Sequence, residues 1–325
     1  MNRRDFLQTT AFASIAQAAG MAYAQGDWPQ RPVKLVVPFT PGGGTDATSR
    51  LIAERLTSLE RWTVVVDNKP GAAGNIGLDA VAKATPDGYT IGMGQTSNLT
   101  INPWLYSKMP FEALKDFSPI AEVASQPVVL AVRADSPLRT LADFIKAAKA
   151  KPGEFSIAQA GNGTVGHLAG EMLARRAGIK VMQVPYKGAG PAMNDLISGQ
   201  IALYFGSSVS VMSQLSNGRA RALAVTSAKR LPALPNVPTV AEQGFAGFEA
   251  TTWVGLVGPA GLPADVVNRI NAAVVKTVAR KDVQDKLAQE GSVPASGTPQ
   301  QFDAYIRAEH AKWGALIREA GIKLD

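Results

Sequence analysis

Short apolar runs alternate with amphipathic stretches along most of this chain, and the alternation predicts strands and helices in turn. The apolar run VKLVV at residues 33–37 is followed by a predicted helix at 46–59, in which Leu51, Ile52 and Leu56 recur at helical spacing. Further strands are predicted at residues 63–66, 89–93, 154–158, 181–184, 201–205, 222–226 and 251–257, and the apolar runs at 119–132 are broken by Gln126-Pro127. Further helices are predicted at residues 140–150, 167–177, 191–198, 264–279, 281–290 and 299–320, the last with Thr298 as N-cap and Gln301 at the capping-box position. This order is typical of βαβ units around largely parallel sheets, and therefore of an α/β fold.

Two of the predicted strand–helix junctions are rich in glycine. They read PFTPGGGTD at residues 38–46 and GNGTVG at residues 161–166, and they lie in separate βαβ regions. Each places backbone N–H groups at a helix N-terminus, where the helix dipole and unpaired donors favour an anion. Glycines in a single such loop often serve only to allow a tight turn. Two loops of this kind indicate a ligand held between two lobes.

The first loop also has features of a nucleotide-binding motif. Gly42, Gly44 and Ala47 match the spacing G-x-G-x-x-G/A, and Asp67 ends the next apolar run. In that motif, however, the first glycine follows the strand almost directly, whereas here residues 38–41 intervene with two prolines of fixed φ. No lysine follows the glycines, as a P-loop would require. The sequence therefore favours a different anion.

Composition narrows the function further. The chain of 325 residues has room for two lobes, and it contains no cysteine and only two histidines, His167 and His310. Thiolate metal sites are thereby excluded, and a histidine metal cluster is disfavoured, so we expect no metal and no cofactor. The basic residues behind the net charge of +7 are dispersed, which does not indicate nucleic acid. No G-x-S-x-G motif occurs, and although His167 could act as a general base, a histidine at a helix start more often caps the helix, contacts a ligand or packs.

The N-terminus predicts export. Residues 1–24 combine Arg3-Arg4, a mildly apolar stretch at 11–22 and the cleavage pattern Ala22-Tyr23-Ala24, which together are typical of a signal peptide cleaved near Ala24. The stretch NRRDFLQ resembles a twin-arginine signal, although Asn2 and Gln8 depart from the commonest neighbours, and a plain Sec signal remains an alternative. The signal peptide predicts export, and no later segment is apolar over the ~20 residues that a membrane span needs. We therefore expect a periplasmic protein.

Several motifs in fixed order resemble the Bug/TctC family, the solute receptors of tripartite tricarboxylate transporters. They are PFTPGGGTD (38–46), DNKPGAAGNIG (67–77), ATPDGYT (84–90), VPYKG (184–188), ALAVTS (222–227), LPNVPT (234–239) and AGIK (320–323). The resemblance covers essentially the whole chain after the signal peptide. It implies a two-lobed periplasmic-binding-protein fold (type II, or Venus-flytrap) with lobe 1 at residues 25–126 and 251–325, lobe 2 at 127–250, and a ligand cleft between them.

The resemblance also implies what the protein does. The expected ligand is an organic acid, a mono- or dicarboxylate that is aromatic or aliphatic, delivered without catalysis to the membrane subunits of a transporter. A receptor that feeds a sensor kinase would look the same in sequence. Family members hold the carboxylate between the two glycine loops, which maps the site onto Phe39, Gly42, Gly43, Gly44, Thr45, Asp46, Gly161, Asn162, Gly163, Thr164 and His167. Thr96, Ser97 and Asn98 after one strand, and Ser207 and Ser208 after another, are expected to line the cleft as well.

Some of these residues have alternative roles. Many relatives have an aspartate after the phenylalanine that corresponds to Phe205, and its replacement by Gly206 argues against an amino-acid ligand. Thr45 and Asp46 can cap the first helix, contact the ligand or do both. Arg50 has the spacing to pair with Asp46. Phe39 suits the core and the cleft wall equally, Trp253 is expected to pack, and Lys187 could place a cation near the cleft.

Overall fold

The computed structural model of the chain describes residues 28–322. Its strands are β1 (Val33–Val37), β2 (Val64–Asn68), β3 (Thr90–Gln95), β4 (Phe117–Arg133), β5 (Ser156–Gln159), β6 (Met182–Pro185), β7 (Leu203–Ser207), β8 (Ala220–Val225), β9 (Thr251–Pro259) and β10 (Val293–Pro294). Its α-helices are α1 (Gly44–Glu60), α2 (Asn75–Ala82), α3 (Asn102–Leu105), α4 (Leu141–Ala150), α5 (Val165–Ala177), α6 (Ala189–Ser198), α7 (Ser208–Ser216), α8 (Ala264–Val278), α9 (Lys281–Gln289) and α10 (Pro299–Ala320). The predicted signal peptide lies outside the described residues. None of the helices within 28–322 is both long enough and apolar enough to cross a bilayer.

The strands form two sheets that share β4. In the first sheet β2, β1 and β3 run parallel to one another, and β9 joins β3 to β4 by antiparallel pairing. In the second sheet β4 pairs with β7 and β8 in antiparallel fashion, and β5 lies parallel between β7 and β6. The α/β fold class is therefore confirmed.

Strand β4 passes from one sheet to the other at Pro127. Up to this residue it pairs with β9, and from Val128 onward it pairs with β7 and β8. Pro127 has no N–H to donate to a neighbouring strand. The N–H of the next residue, Val128, donates to a side chain, Thr226 Oγ1, at 2.9 Å. The interruption of the apolar runs at Gln126-Pro127 therefore marks the point where β4 changes partner, and the strand itself continues.

Both sheets have their own apolar core, and α10 packs into both of them. Phe302 and Ile306, in the N-terminal half of α10, join the core of the first sheet around Trp253. Trp313 and Ile317, two turns further on, join the core of the second sheet. Trp253 packs as predicted, and the capping box of Thr298 and Gln301 at the start of α10 is confirmed.

Most predicted elements occur within a few residues of their expected bounds, but some were missed. The sequence reasoning overlooked α2, α3, β10, the π-helical turn Ser97–Ile101 and α7. The stretch that becomes α7, SVSVMSQLS, is rich in serine and valine, which are weak helix formers. It is held by packing against β4, β7 and β8 instead of by its own propensity.

Candidate functional site

A cavity of about 50 Å³ lies where strand ends of the two sheets meet. Phe39 follows β1, Gln95 ends β3, Ala160 follows β5 and Ser207 ends β7, and all four line the cavity. The middle of β4 and the start of β9 complete the wall with Gln126 and Thr252. Loops beyond the carboxyl ends of parallel strands are the usual ligand position in open α/β sheets.

Four helices begin at this cavity. The wall includes Gly43, Gly44 and Thr45 at the start of α1, Thr164, Val165 and Gly166 at the start of α5, Ala189 at the start of α6, and Ser207, which precedes α7. The first backbone N–H groups of a helix have no acceptor within the helix, and the dipole makes this end positive. Four such ends facing one cavity form an environment for an anion.

The loop before α1 is shaped by Asp46. Gly42 has a φ of 85°, a left-handed conformation that favours glycine, and its N–H donates to Asp46 Oδ2 at 2.9 Å. The N-cap is Gly43, so the expectation that Thr45 or Asp46 could occupy this position is wrong. The predicted pair with Arg50 is confirmed, with Nε 3.0 Å from the carboxylate. Burial tends to raise the pKa of Asp46, but hydrogen bonds from Arg50, Gly42 and Asn68 outweigh it and leave the pKa lowered.

The loop before α5 is closed by its own side chains. Thr164 Oγ1 accepts the His167 N–H at 3.4 Å and donates to the carbonyl of Gly161 at 2.7 Å. The Gly163 N–H donates to Nδ1 of His167 at 3.3 Å. Burial lowers the pKa of His167 to about 4, so the ring is neutral near pH 7. His167 therefore supports the loop as an uncharged acceptor.

The residues that line the cavity carry no charge. None of those contributed by residues 28–322 is an acid, a lysine, an arginine or a histidine. Their polar atoms come from backbone amides, from Gln95 and Gln126, and from the hydroxyls of threonine, serine and Tyr204. An anion in this cavity would be held by dipoles and charge-assisted hydrogen bonds, without a salt bridge.

The structure brings only part of the predicted site to this cavity. Six predicted residues line it: Phe39, Gly43, Gly44, Thr45, Thr164 and Ser207. Gly161 and Asn162 line a neighbouring cavity of about 230 Å³, which shares Phe39 and Ala160 with the first and also includes Lys187. Phe39 is thus both buried and part of the cleft wall.

The remaining predicted residues lie behind the wall. They are Gly42, Asp46, Thr96, Ser97, Asn98, Gly163, His167 and Ser208. Thr96 Oγ1 accepts the Trp253 N–H at 2.8 Å, Asn98 Oδ1 accepts the Gln95 N–H at 3.0 Å, and Ser208 Oγ donates to the Gly291 carbonyl at 2.8 Å. Ser97 Oγ donates to the carbonyl of Ala73 at 3.4 Å. These side chains hold the strand ends and loops in place.

Sequence reasoning missed several residues of the wall. Gln95, Gln126, Ala189, Tyr204 and Thr252 line the cavity but belong to no glycine motif. A polar residue at the point where an apolar run meets a proline, as at Gln126-Pro127, is the signal that could have identified one of them. The others depend on which strands become neighbours.

Loops from opposite sides of the cleft lie close to each other. A Cβ atom built on Gly43 would lie 3.6 Å from Cβ of Ala189, and one built on Gly190 would lie 3.7 Å from the carbonyl oxygen of Pro41. Tyr106 Oη donates to the carbonyl of Asn162 at 3.4 Å. The cleft is therefore narrow in this conformation.

Comparison with known proteins supports this description. The family model described as tripartite tricarboxylate transporter family receptor, TctC, matches residues 48–322. A UPF0065 protein from the tcbD-tcbE intergenic region of Pseudomonas sp. strain P51 is 42% identical, over 98% of this chain and 95% of its own length. Protein BugT of Bordetella pertussis is 35% identical, over 95% of this chain and 96% of its own length.

Solved structures share the fold. The structure of R. palustris Rpa4515 with adipate has a TM-score of 0.89 and 36% identity, covering 92% of this chain and 100% of that one. The periplasmic binding protein BugD has a TM-score of 0.88 and 36% identity, covering 91% and 100%. MatC from Rhodopseudomonas palustris with bound malate has a TM-score of 0.84 and 30% identity, covering 89% and 100%.

The shared β4, the two cores and the cavity between strand ends therefore define a two-lobed periplasmic binding protein that receives a solute. More specifically, the chain belongs to the TctC family of tripartite tricarboxylate transporter receptors, to which the Bug proteins are related. Members of this family are periplasmic receptors.

Proposed function

We propose that this protein binds an organic acid between its two lobes and delivers it, without chemical change, to the membrane subunits of a tripartite tricarboxylate transporter. The observation that carries the proposal is the convergence of the N-termini of α1, α5, α6 and α7 on one uncharged cavity. A carboxylate suits this arrangement because its oxygens can each accept several N–H donors.

The bound ligands of the neighbours support a carboxylate. Rpa4515 was solved with adipate and MatC with malate, and both are at least 30% identical to this chain. The ligand is a mono- or dicarboxylate, and the carboxylate contacts the N-terminal amides of the glycine loops around Gly44 and Gly166. Of the predicted site residues, those that line the cavity contact the ligand, and those behind the wall hold the lining residues in position.

The lobes divide at residues 126/127 and 250/251. The change of partner along β4 at Pro127 and the start of β9 at Thr251 support these boundaries, since Pro127 and Thr251 are paired neighbours at the edge of the first sheet. Binding closes the lobes on the acid, and the closed surface is recognised by the transporter. Export by the N-terminal signal, with cleavage near Ala24, places the receptor in the periplasm.

A thermal-shift screen tests the proposal. The purified protein is heated with a set of mono-, di- and tricarboxylates, each at several concentrations, and with neutral amides and alcohols of the same carbon skeletons. An acid whose free concentration is 100 times its dissociation constant adds about 2.7 kcal/mol to the free energy of unfolding. We expect at least one acid to raise the melting temperature and its neutral analogue to have no effect.

Two results would count against the proposal. Stabilisation by no organic acid would remove the proposed ligand class, and conversion of a bound acid to a product, followed by NMR, would show catalysis. Titration calorimetry on each stabilising acid then gives the dissociation constant and confirms one site per chain.

A further inference from the structure

Gln126 presents an acceptor without a partner beside the cavity. It is fully buried in β4, and its Nε2 donates to Thr48 Oγ1 at 2.9 Å and to the Gly44 carbonyl at 3.4 Å. A carbonyl oxygen can only accept, so the amide nitrogen of Gln126, and not Oε1, is the atom directed at the Gly44 carbonyl. Gln126 Oε1 has no hydrogen-bond partner among residues 28–322.

A chain of hydroxyls adds a second acceptor. Ser210 Oγ donates its single proton to the carbonyl of Ser207 at 2.6 Å. It can therefore only accept from its other two neighbours, Ser207 Oγ at 3.4 Å and Tyr204 Oη at 3.1 Å. Ser207 and Tyr204 thus direct their protons to Ser210, and both keep lone pairs for a donor in the cavity that they line.

The two acceptors lie beside the N-terminus of α1. A Cβ atom built on Gly44 would lie 2.7 Å from Gln126 Oε1 and 2.7 Å from Ser207 Oγ. The two oxygens therefore flank the glycine whose own N–H is among the unpaired donors of α1. A group that reaches both acceptors sits close to a carboxylate bound at the helix N-terminus.

The donor that fits here is neutral. A second carboxylate would place its charge against oxygens that can only accept. An ammonium group would be buried without a counter-charge, because no acid among the described residues lines the cavity. A hydroxyl supplies one proton, keeps the net charge of the acid unchanged and satisfies the unpaired oxygen of Gln126.

We propose that the ligand is a hydroxycarboxylate, whose hydroxyl lies close to its carboxylate and donates its single proton to Gln126 Oε1 in a hydrogen bond that Ser207 Oγ can share. This assignment rests on the proposed function, since it names the class of acid that the same cavity takes. It makes Gln126 a specificity-determining residue.

The test uses acids that differ only in one substituent. Calorimetric dissociation constants are measured for lactate against propionate, malate against succinate, and mandelate against phenylacetate. We expect the hydroxy acid of any pair that binds to bind at least tenfold tighter than its deoxy partner. Alanine, which replaces the hydroxyl of lactate by an ammonium group, is expected to bind more weakly than lactate.

Variants then locate the source of the preference. Gln126→Met removes the acceptor and keeps the length of the side chain, so the ratio of the two dissociation constants should fall to less than threefold. Ser207→Ala should reduce the same ratio and leaves Gln126 in place. Gln243→Met is the matched control, because the Gln243 amide donates to the carbonyls of Leu223 and Thr239 outside the cavity.

The outcomes separate the two proposals. Binding of neither member of any pair overturns this inference, and the proposed function falls with it only if no acid in the thermal-shift screen binds either. Equal affinity within each pair that binds, or tighter binding of alanine than of lactate, overturns only the hydroxycarboxylate assignment. The hydroxycarboxylate assignment is also overturned if both Gln126→Met and Ser207→Ala still prefer the hydroxy acid to its deoxy partner. The ligand pairs test wild-type protein, so a variant that fails to fold does not remove the test.

Discussion

The carboxylate of Asp46 accepts the backbone N–H of Gly42 at 2.9 Å, across a separation of four residues. Arg50 and Asn68 hold the same carboxylate, and the Asn68 amide also donates to the carbonyl of Phe39 at 2.9 Å. One buried acid thereby ties the start of α1 to the end of β2. This fixes the turn from which Gly44 presents its N–H to the cavity.

Replacing Asp46 should loosen this turn and weaken ligand binding. In Asp46→Ala the partly buried N–H of Gly42 loses its acceptor, and the Asn68 amide loses one of its two acceptors. We expect the free energy of unfolding to fall by about 1–3 kcal/mol, the typical effect of removing hydrogen bonds to a charged group. Urea unfolding measures the stability, and calorimetry with a stabilising acid measures the affinity.

Asp303 provides a matched control for this variant. It pairs with Arg307 at 2.8 Å with the same four-residue spacing, but both side chains are exposed on α10. Asp303→Ala should change stability by less than about 0.5 kcal/mol, because exposed pairs contribute little. If the two variants unfold at the same urea concentration, Asp46 does not have the proposed structural role.

His167 should make stability depend on pH below neutrality. Burial lowers the pKa of the folded protein's His167 to about 4, whereas an exposed histidine titrates near 6.5. Between these values the unfolded chain binds a proton that the folded protein does not, so stability falls as the pH drops from 6.5 towards 4. We expect His167→Gln to remove up to about 3 kcal/mol of this pH dependence. Urea unfolding at pH 4, 5, 6 and 7 gives the two profiles.

His310 provides the control that separates the effect of His167 from a general effect of replacing a histidine. Burial also lowers the pKa of His310, but its ring is only half-buried and packs against Trp104 in a tilted arrangement, with centroids 4.9 Å apart. His310→Gln should therefore change the profile less than His167→Gln does. A His167→Gln protein with the wild-type profile would show that the ring is not held neutral by the fold.

The glycine loops could be predicted from the sequence because their signals are local. Gly42 and Gly163 adopt left-handed φ angles of 85° and 82°, which other residues rarely adopt, and the helices after them follow from apolar spacing. Thr164, which the sequence placed in the second glycine loop, caps α5. Such features involve residues that are close along the chain.

The rest of the wall could not be predicted in the same way. Gln126 reaches the cavity because β4 changes sheets beside it, and Thr252 reaches it because β9 pairs with both β3 and β4. Conversely, Thr96 and Ser208 have the right residue types after the right strands, yet both point to backbone partners. Alternation along a strand distinguishes two faces, but it does not tell which face meets a ligand.

Glu122 should affect stability in the opposite direction from His167. Burial and the nearby charge of Glu309 raise the pKa of Glu122 to about 7. Glu309 itself is held by Lys312 and by Trp313 Nε1, each at 3.0 Å. Between pH 4.5 and 7 the folded protein keeps a proton on Glu122 that the unfolded chain has lost. Stability therefore falls as the pH rises through this window.

Removing this ionisable group should stabilise the protein at high pH. We expect Glu122→Gln to match the wild type near pH 4.5 and to exceed it at pH 8 by about 1–2 kcal/mol, allowing for the partial exposure of the carboxyl. The exposed Glu112, which pairs with Lys115, is the control, and Glu112→Gln should show no such gain. A gain that is equal at both pH values would point to packing instead of ionisation.

Gly44 should be essential for ligand binding but not for folding. Gly44 is the first residue of α1, where alanine is well tolerated by the helix. The added Cβ would lie 2.7 Å from Gln126 Oε1 and from Ser207 Oγ, and 3.1 Å from Cβ of Val209 on α7. The two sides of the cleft would then have to move apart, which lengthens every hydrogen bond across it. We expect Gly44→Ala to keep the melting temperature of the ligand-free protein within a few degrees and to weaken acid binding at least tenfold in calorimetry.

Gly190, in the first turn of α6 across the cleft, is the matched control, because its added Cβ would meet only the carbonyl of Pro41 at 3.7 Å. Gly190→Ala should bind within about threefold of the wild type, roughly 0.6 kcal/mol; equal losses in the two variants would mean that contact at Gly44 does not control closure.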